Sequence, residues 1–177
     1  MRRHKVRCPE FAVTSLAAVD RTARASILRV MSDGTFEEVT HELDALESEL
    51  EAMRVAVDEG EETFAAAPTA RRAAMRHLNH AMRHLIESAW SLIDEADWDE
   101  PEDNFDAIEI LAEEEVIPGR LGVTLVGLAE YAAEQGEEEG WEAGADETGA
   151  FERVTEGVDA ITEYLEFVHH FMKEWEA

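Results

Sequence analysis

Apolar residues recur along this chain at steps of three and four, and that spacing admits little besides a bundle of amphipathic helices. Phe36, Val39, Leu43, Leu46, Leu50, Met53 and Val57 form one stripe, with glutamates filling the other faces. The stripe predicts a helix that stops near Gly60. A second helix is expected to open at Pro68-Thr69, with Thr69 as its cap, and to run through the arginine- and histidine-bearing stretch Arg71 to Ile93. Its apolar pairs, Ala73/Ala74, His77/Leu78, Ala81/Met82, Leu85/Ile86 and Ala89/Trp90, make a wide stripe, so this helix is expected at the centre, touched on two sides.

Asp94 to Asp103 reads as an acidic loop holding Trp98 and Pro101. Asp103 or Asn104 then caps a short helix whose inner face is Phe105, Ile108, Leu111 and Ala112, broken by Ile117-Pro118. A further helix places Leu121, Leu125, Leu128, Ala129 and Ala132 inward and ends at Gly136. Gly136 to Gly149, rich in glycine and acids, reads as a flexible loop. Phe151, Val154, Val158, Ile161, Leu165, Val168, Met172 and Trp175 stripe a last helix that starts near Ala150. The fold class expected is all-α: an up-and-down bundle of four long helices plus one short helix.

Charge divides the chain. Overall, 42 acids face 15 bases for a net charge of -27. Residues 1–30 hold seven bases and two acids, whereas the chain from Met31 holds eight bases and forty acids. Two domains are therefore drawn: a basic N-terminal extension, 1–30, and an acidic helical domain, 31–177. The extension reads either as a disordered arm or as sequence upstream of a true start at Met31; a nucleic-acid arm or targeting segment is the remaining reading. The acidic domain would repel itself in dilute buffer, but at about 1 M salt the Debye length falls to ~3 Å. A salt-adapted, halophilic cytoplasmic protein is expected, and broad nucleic-acid binding is not. The single cysteine, Cys8, excludes an internal disulfide, and no apolar run reaches the ~20 residues of a membrane span.

Within the second helix Arg72, Arg76, His80 and Arg83 share a face. Cations so spaced repel one another, so they call for acidic neighbours, such as the first helix, or for a phosphate-bearing ligand, RNA or nucleotide. His77, His80 and His84 lie on overlapping faces, yet no cysteine is near and no HExxH pattern occurs. No metal and no cofactor are expected.

Two segments resemble a known family. Arg72-Ala73-Ala74-Met75-Arg76-His77-Leu78, continuing to Glu87-Ser88-Ala89, resembles the second helix of the HepT-like HEPN ribonuclease toxins. Asn104 to Pro118, NFDAIEILAEEEVIP, resembles that family's short helix: an aromatic, then the pattern iLae.gvIp. The likeness spans about Phe36 to Trp175.

The resemblance implies an all-α HEPN bundle that forms a homodimer and is encoded beside a nucleotidyltransferase antitoxin, which blocks it by nucleotidylation. The family cuts RNA without a metal through an Arg-x4-His motif just before the last helix. The histidine moves a proton during attack by the ribose 2′-hydroxyl, and the arginine holds the phosphate. A tyrosine near the motif's end accepts the nucleotide. In this chain Ala132 stands at the arginine's place, Glu137 about at the histidine's and Glu139 about at the tyrosine's, and no Arg or His lies between Leu121 and Glu152.

The function expected is that of a HepT-like protein of a toxin–antitoxin type system which lacks the ribonuclease motif and acts as a binding partner of a nucleotidyltransferase or another HEPN protein. Two alternatives stay open. One is an active endoribonuclease with displaced groups, drawn from Arg72, Arg76, His77, His80 and Arg83 across a dimer. The other is an unrelated helical interaction protein. Arg72 and His77 have the Arg-x4-His spacing, but five residues on a helix separate them by about 140°.

Overall fold

The computed structural model describes residues 36–136 and 149–175, and among these the chain forms six helices and no strand. They are α1 (Glu37–Asp58), α2 (Glu61–Ala66), α3 (Pro68–Glu95), α4 (Asn104–Glu113), α5 (Gly119–Gly136) and α6 (Ala150–Trp175). The basic extension, 1–30, and the acidic positions Glu137 and Glu139 lie outside the described residues.

The architecture is the expected all-α, up-and-down bundle, with one short helix more than the sequence predicts. That helix, α2, is six residues long, too short for any period to register. Gly60 starts it by taking φ 83, a left-handed turn that a side chain would strain. Phe64 anchors it: the ring is 3 % exposed and meets Phe151 of α6 edge-on at 5.4 Å.

The long stripes fold as their spacing dictates. Val39, Leu43, Leu46, Leu50 and Met53 of α1 are buried, as are Leu78, Leu85 and Leu92 of α3. α3 packs on every other helix, and most extensively along α1. α6 comes in close over both. At Gly157 an added Cβ would lie 2.7 Å from Leu78 Cδ1 and 3.0 Å from Met53 Cε, so the missing side chain sets the approach.

At the helix ends one cap differs from expectation and one open choice is decided. Thr69 does not cap α3: Pro68 occupies the first turn, where its absent N–H costs nothing, and Ala67 is the N-cap without a side-chain bond. At α4 the choice falls on Asp103, which accepts from the N–H groups of Phe105 (2.8 Å) and Asp106 (3.0 Å). Asn104 instead accepts from the indole N–H of Trp90 at 3.2 Å, tying α4 to α3. The inner face of α4 is Ala107, Ile108 and Leu111, while Phe105 and Ala112 pack half-buried beside it.

α3 and α4 both end in Schellman motifs with an acid, not glycine, in the left-handed position. After α3, Asp97 has φ 54, and Trp98 N–H donates to Ile93 C=O at 3.2 Å. After α4, Glu115 has φ 60, and Val116 N–H donates to Leu111 C=O at 2.9 Å. Glu115 stands where the family pattern iLae.gvIp has its glycine. Val116 and Ile117, the next two residues, are each 2 % exposed. The segment is thus a helix stop that turns two apolar side chains back into the core.

Tyr164 is fully buried, and the helical stripe did not include it. Its hydroxyl meets Ser88 Oγ at 2.8 Å, and Ser88 donates in turn to Leu85 C=O at 2.7 Å. Burial pushes the Tyr164 phenol well above its ordinary range, so it stays a neutral donor.

Ser88→Ala leaves that hydroxyl only its long 3.5 Å bond to Leu85 C=O and is expected to cost about 1–3 kcal/mol. The double variant Ser88→Ala/Tyr164→Phe is expected to lose less than the sum of the two single changes, which denaturant melts in a double-mutant cycle would measure. Glu115→Gly removes left-handed strain of roughly 1–2 kcal/mol against a chain-entropy loss of about 0.5–1 kcal/mol. A net rise in the unfolding midpoint is expected, and a lowered midpoint would contradict the strain assigned to Glu115.

Candidate functional site

Where α1 lies along α3, carboxylates and imidazoles meet in register. Glu42 and Glu49 on α1 are seven residues apart, as are His84 and His77 on α3. Two turns of helix carry a side chain back to nearly the same face. The helices run antiparallel, so Glu42 meets His84 and Glu49 meets His77. His84 Nδ1 lies 2.7 Å from Glu42 Oε2, and His77 Nδ1 lies 2.6 Å from Glu49 Oε2. All four side chains flank the apolar stripes and are only partly exposed, between 16 % and 33 %.

Each pair draws in a third group from α3. His80 Nδ1 lies 3.5 Å from Glu49 Oε1, so two imidazoles grip one carboxylate. Glu87 Oε2 lies 3.8 Å from His84 Nδ1, which sets two carboxylates around one imidazole. Glu42 and Glu87 thus face the same imidazole, and each shifts the other's titration. Burial pushes both groups up. For Glu42 the hydrogen bonds to His84 and Glu87, with the charges of His84 and His41, outweigh burial and hold the group below the ordinary range. For Glu87 the hydrogen bond and charge of Glu42 add to burial, so it sits above that range against the pull of Arg83 and His84.

The arginines of α3 go elsewhere. Arg72, Arg76 and Arg83 are exposed, and among the described residues no carboxylate stands within 4 Å of them. With His80 at its edge, this row stays on the surface of α3. It is the histidines, not the arginines, that the carboxylates of α1 meet. His77 is engaged in the seam by Glu49 while Arg72 faces solvent, so the Arg-x4-His spacing within α3 does not bring the two together.

A groove of about 1170 Å³ opens at the other place of interest, the start of α6. Arg71, Arg120 and Arg153 line it together with Glu61, Glu152, Glu156, Asp159 and Glu163. Arg120 forks onto both carboxylate oxygens of Glu163. That bond holds Glu163 below the ordinary carboxylate range and pushes Arg120 further up. Arg153 donates to Glu156 at 2.8 Å and stacks over the Tyr131 ring, 5.5 Å from its centroid. Arg71 is buried and donates to Ala65 C=O at 3.0 Å. Ala132, at the place of the family's arginine, is 8 % exposed and belongs to the core, not to the groove wall.

No protein-family model matches the chain, and no curated protein matches it by sequence. Solved structures do. A toxin–antitoxin crystallised with AMP-PNP superposes with a TM-score of 0.66 at 11 % identity, over 76 % of this chain and 98 % of its own. A mutant of the toxin–antitoxin MntA-HpeT gives 0.65 at 11 % identity over the same shares. YutE, a cytosolic protein of Bacillus subtilis, gives 0.66 at 15 % identity, over 80 % of this chain and 93 % of its own. Among the described residues no helix is long and apolar enough to cross a membrane.

In metal-free buffer Glu87→Gln is expected to stabilise the protein at neutral pH by a few tenths of a kcal/mol, because it removes the repulsion from Glu42 at a half-exposed position. The sign follows from the raised folded-state value. A charged Glu87 costs stability above that value, and as pH falls toward the ordinary glutamate range the wild type protonates and the difference closes. Melts of both proteins across that window measure it. The chain has the fold of the HepT-like HEPN bundles.

Proposed function

We propose that this chain is a HepT-like HEPN protein of a toxin–antitoxin type system that holds a protein partner and does not cut RNA. The observation that carries this reading is the groove before the last helix. Five carboxylates line it, and the guanidinium groups of Arg120 and Arg153 are already taken by Glu163 and Glu156. A phosphodiester entering there meets like charge, and nothing in the sequence between Leu121 and Glu152 supplies an arginine or histidine to offset it. The core position of Ala132 supports the same view, since a side chain there points away from the groove.

The partner we infer is a nucleotidyltransferase antitoxin or an active HEPN relative, engaged by a homodimer of this chain. Two of the similar structures are toxin–antitoxin pairs, which supports a life in complex. The setting we infer is a salt-rich cytoplasm, given a net charge of -27.

A second reading rests on the row Arg72, Arg76, His80 and Arg83, whose arginines have no carboxylate partner among the described residues. That row can bind a phosphate backbone, and across a dimer it could assemble a displaced nuclease centre with His77. One experiment separates the two. Full-length protein is incubated with RNA in high salt, and is also co-expressed with a minimal nucleotidyltransferase from the same genome. The expected result is intact RNA and a complex that survives gel filtration. Cleavage that is lost in Arg72→Ala and His80→Ala would overturn the proposal in favour of the second reading.

A further inference from the structure

Glu42, His84 and Glu87 each present one ligand atom, and the three atoms lie within 4.8 Å of one another. They come from two rigid elements: a carboxylate from α1, and an imidazole and a carboxylate three residues apart on α3. Oxygen and imidazole nitrogen are donors that zinc accepts, and three protein ligands with a fourth position left to water form a familiar open site. Donors held at about 2.0–2.2 Å from a tetrahedral ion are roughly 3.3–3.5 Å apart. Glu42 Oε2 and His84 Nδ1, at 2.7 Å, need to part slightly. Glu87 Oε2 and His84 Nδ1, at 3.8 Å, need to close slightly. Glu87 is about half exposed and free to make that adjustment.

A second observation points to a cation. Glu42 and Glu87 both turn to His84, and among the described residues no arginine or lysine lies within 4 Å of either, Arg83 acting on Glu87 only from farther off. The neighbouring cluster offers a comparison within the same seam. Glu49 faces His77 and His80 with no second carboxylate, so imidazoles alone suffice there. At Glu42 two carboxylates face one imidazole, and a divalent ion there offsets the excess negative charge.

We propose that Glu42, His84 and Glu87 form a Zn²⁺ site that clasps α1 to α3, with its remaining coordination position open to solvent. The site is independent of whether the chain cuts RNA or holds a partner.

The test uses the full chain in about 1 M salt with excess Mg²⁺, conditions that suppress loose adsorption to an acidic surface. Zn²⁺ is titrated by calorimetry, and Co²⁺ serves as a spectroscopic substitute. One equivalent is expected to bind, to release a proton in a buffer-dependent heat, and to raise the melting temperature. Glu87→Gln and His84→Ala are expected to weaken binding by a factor of about ten or more. Glu49→Gln is expected to leave it unchanged. Glu87→Gln is a near-isosteric change at a half-exposed side chain, and its melt in metal-free buffer shows whether the fold is kept, so that a lost zinc response is read apart from unfolding. Absence of stoichiometric Zn²⁺, or binding equal in wild type, Glu87→Gln and His84→Ala, would overturn the site.

Discussion

The fold depends on α3 carrying an apolar stripe wide enough to meet all the other described helices. A 28-residue helix is about 42 Å long and, buried on several sides, gives the other five helices a common surface. Leu78, Leu85 and Leu92 are completely buried along it, and Ala74, Ala81 and Ala89 keep the intervening positions thin enough for neighbours to approach. Burial of a leucine is worth about 1.5–3 kcal/mol, so these side chains decide the packing long before any charge does. Most of the polar residues that α3 retains lie along its seam with α1 or in one exposed row, while Ser88 and Arg71 are buried elsewhere.

That confinement sorts the basic residues by chemistry. Imidazoles are short and partly apolar, and they sit at the seam where α1 supplies carboxylates. Guanidinium groups are long and reach past the seam to water. Apart from the buried Arg71, the helix thus carries bases on adjoining faces with different fates: met by a carboxylate of a packed neighbour, or left exposed. In a chain with 42 acids, any base left unpaired stands out. The groove beside α6 shows the opposite outcome, with Arg120 and Arg153 each met by a glutamate within reach.

Much of this was legible in the sequence because the long helices carry their partners' requirements as a period. The stripe from Phe36 to Val57, the central place of Arg71 to Ile93 and the cap at Asp103 could all be read from spacing. The short α2 could not, since six residues give no period and its anchor, Phe64, pairs with Phe151 across 87 positions of sequence. Tyr164 was missed for another reason: its buried hydroxyl depends on Ser88, a residue on a different helix. The same holds for the site. Arg72, Arg76, His80 and Arg83 were visible as a row, but the pairing of His77 with Glu49, and of His84 with Glu42 and Glu87, needed the register of two helices. The left-handed Glu115 is an intermediate case. The family pattern has glycine there, and only the backbone angle explains what that glycine is for.

Rings bind the two ends of the described bundle. Phe36, which precedes α1, meets Trp175 of α6 edge-on at 6.3 Å; Trp175 lies 5.2 Å from Phe171, and Phe171 lies 6.0 Å from Trp98 beyond α3. Helix termini ordinarily fray one at a time. Here the first turn of α1 and the last turn of α6 can loosen only together, because each is the other's cover. The indoles of Trp98 and Trp175 make that joint opening an event with its own fluorescence.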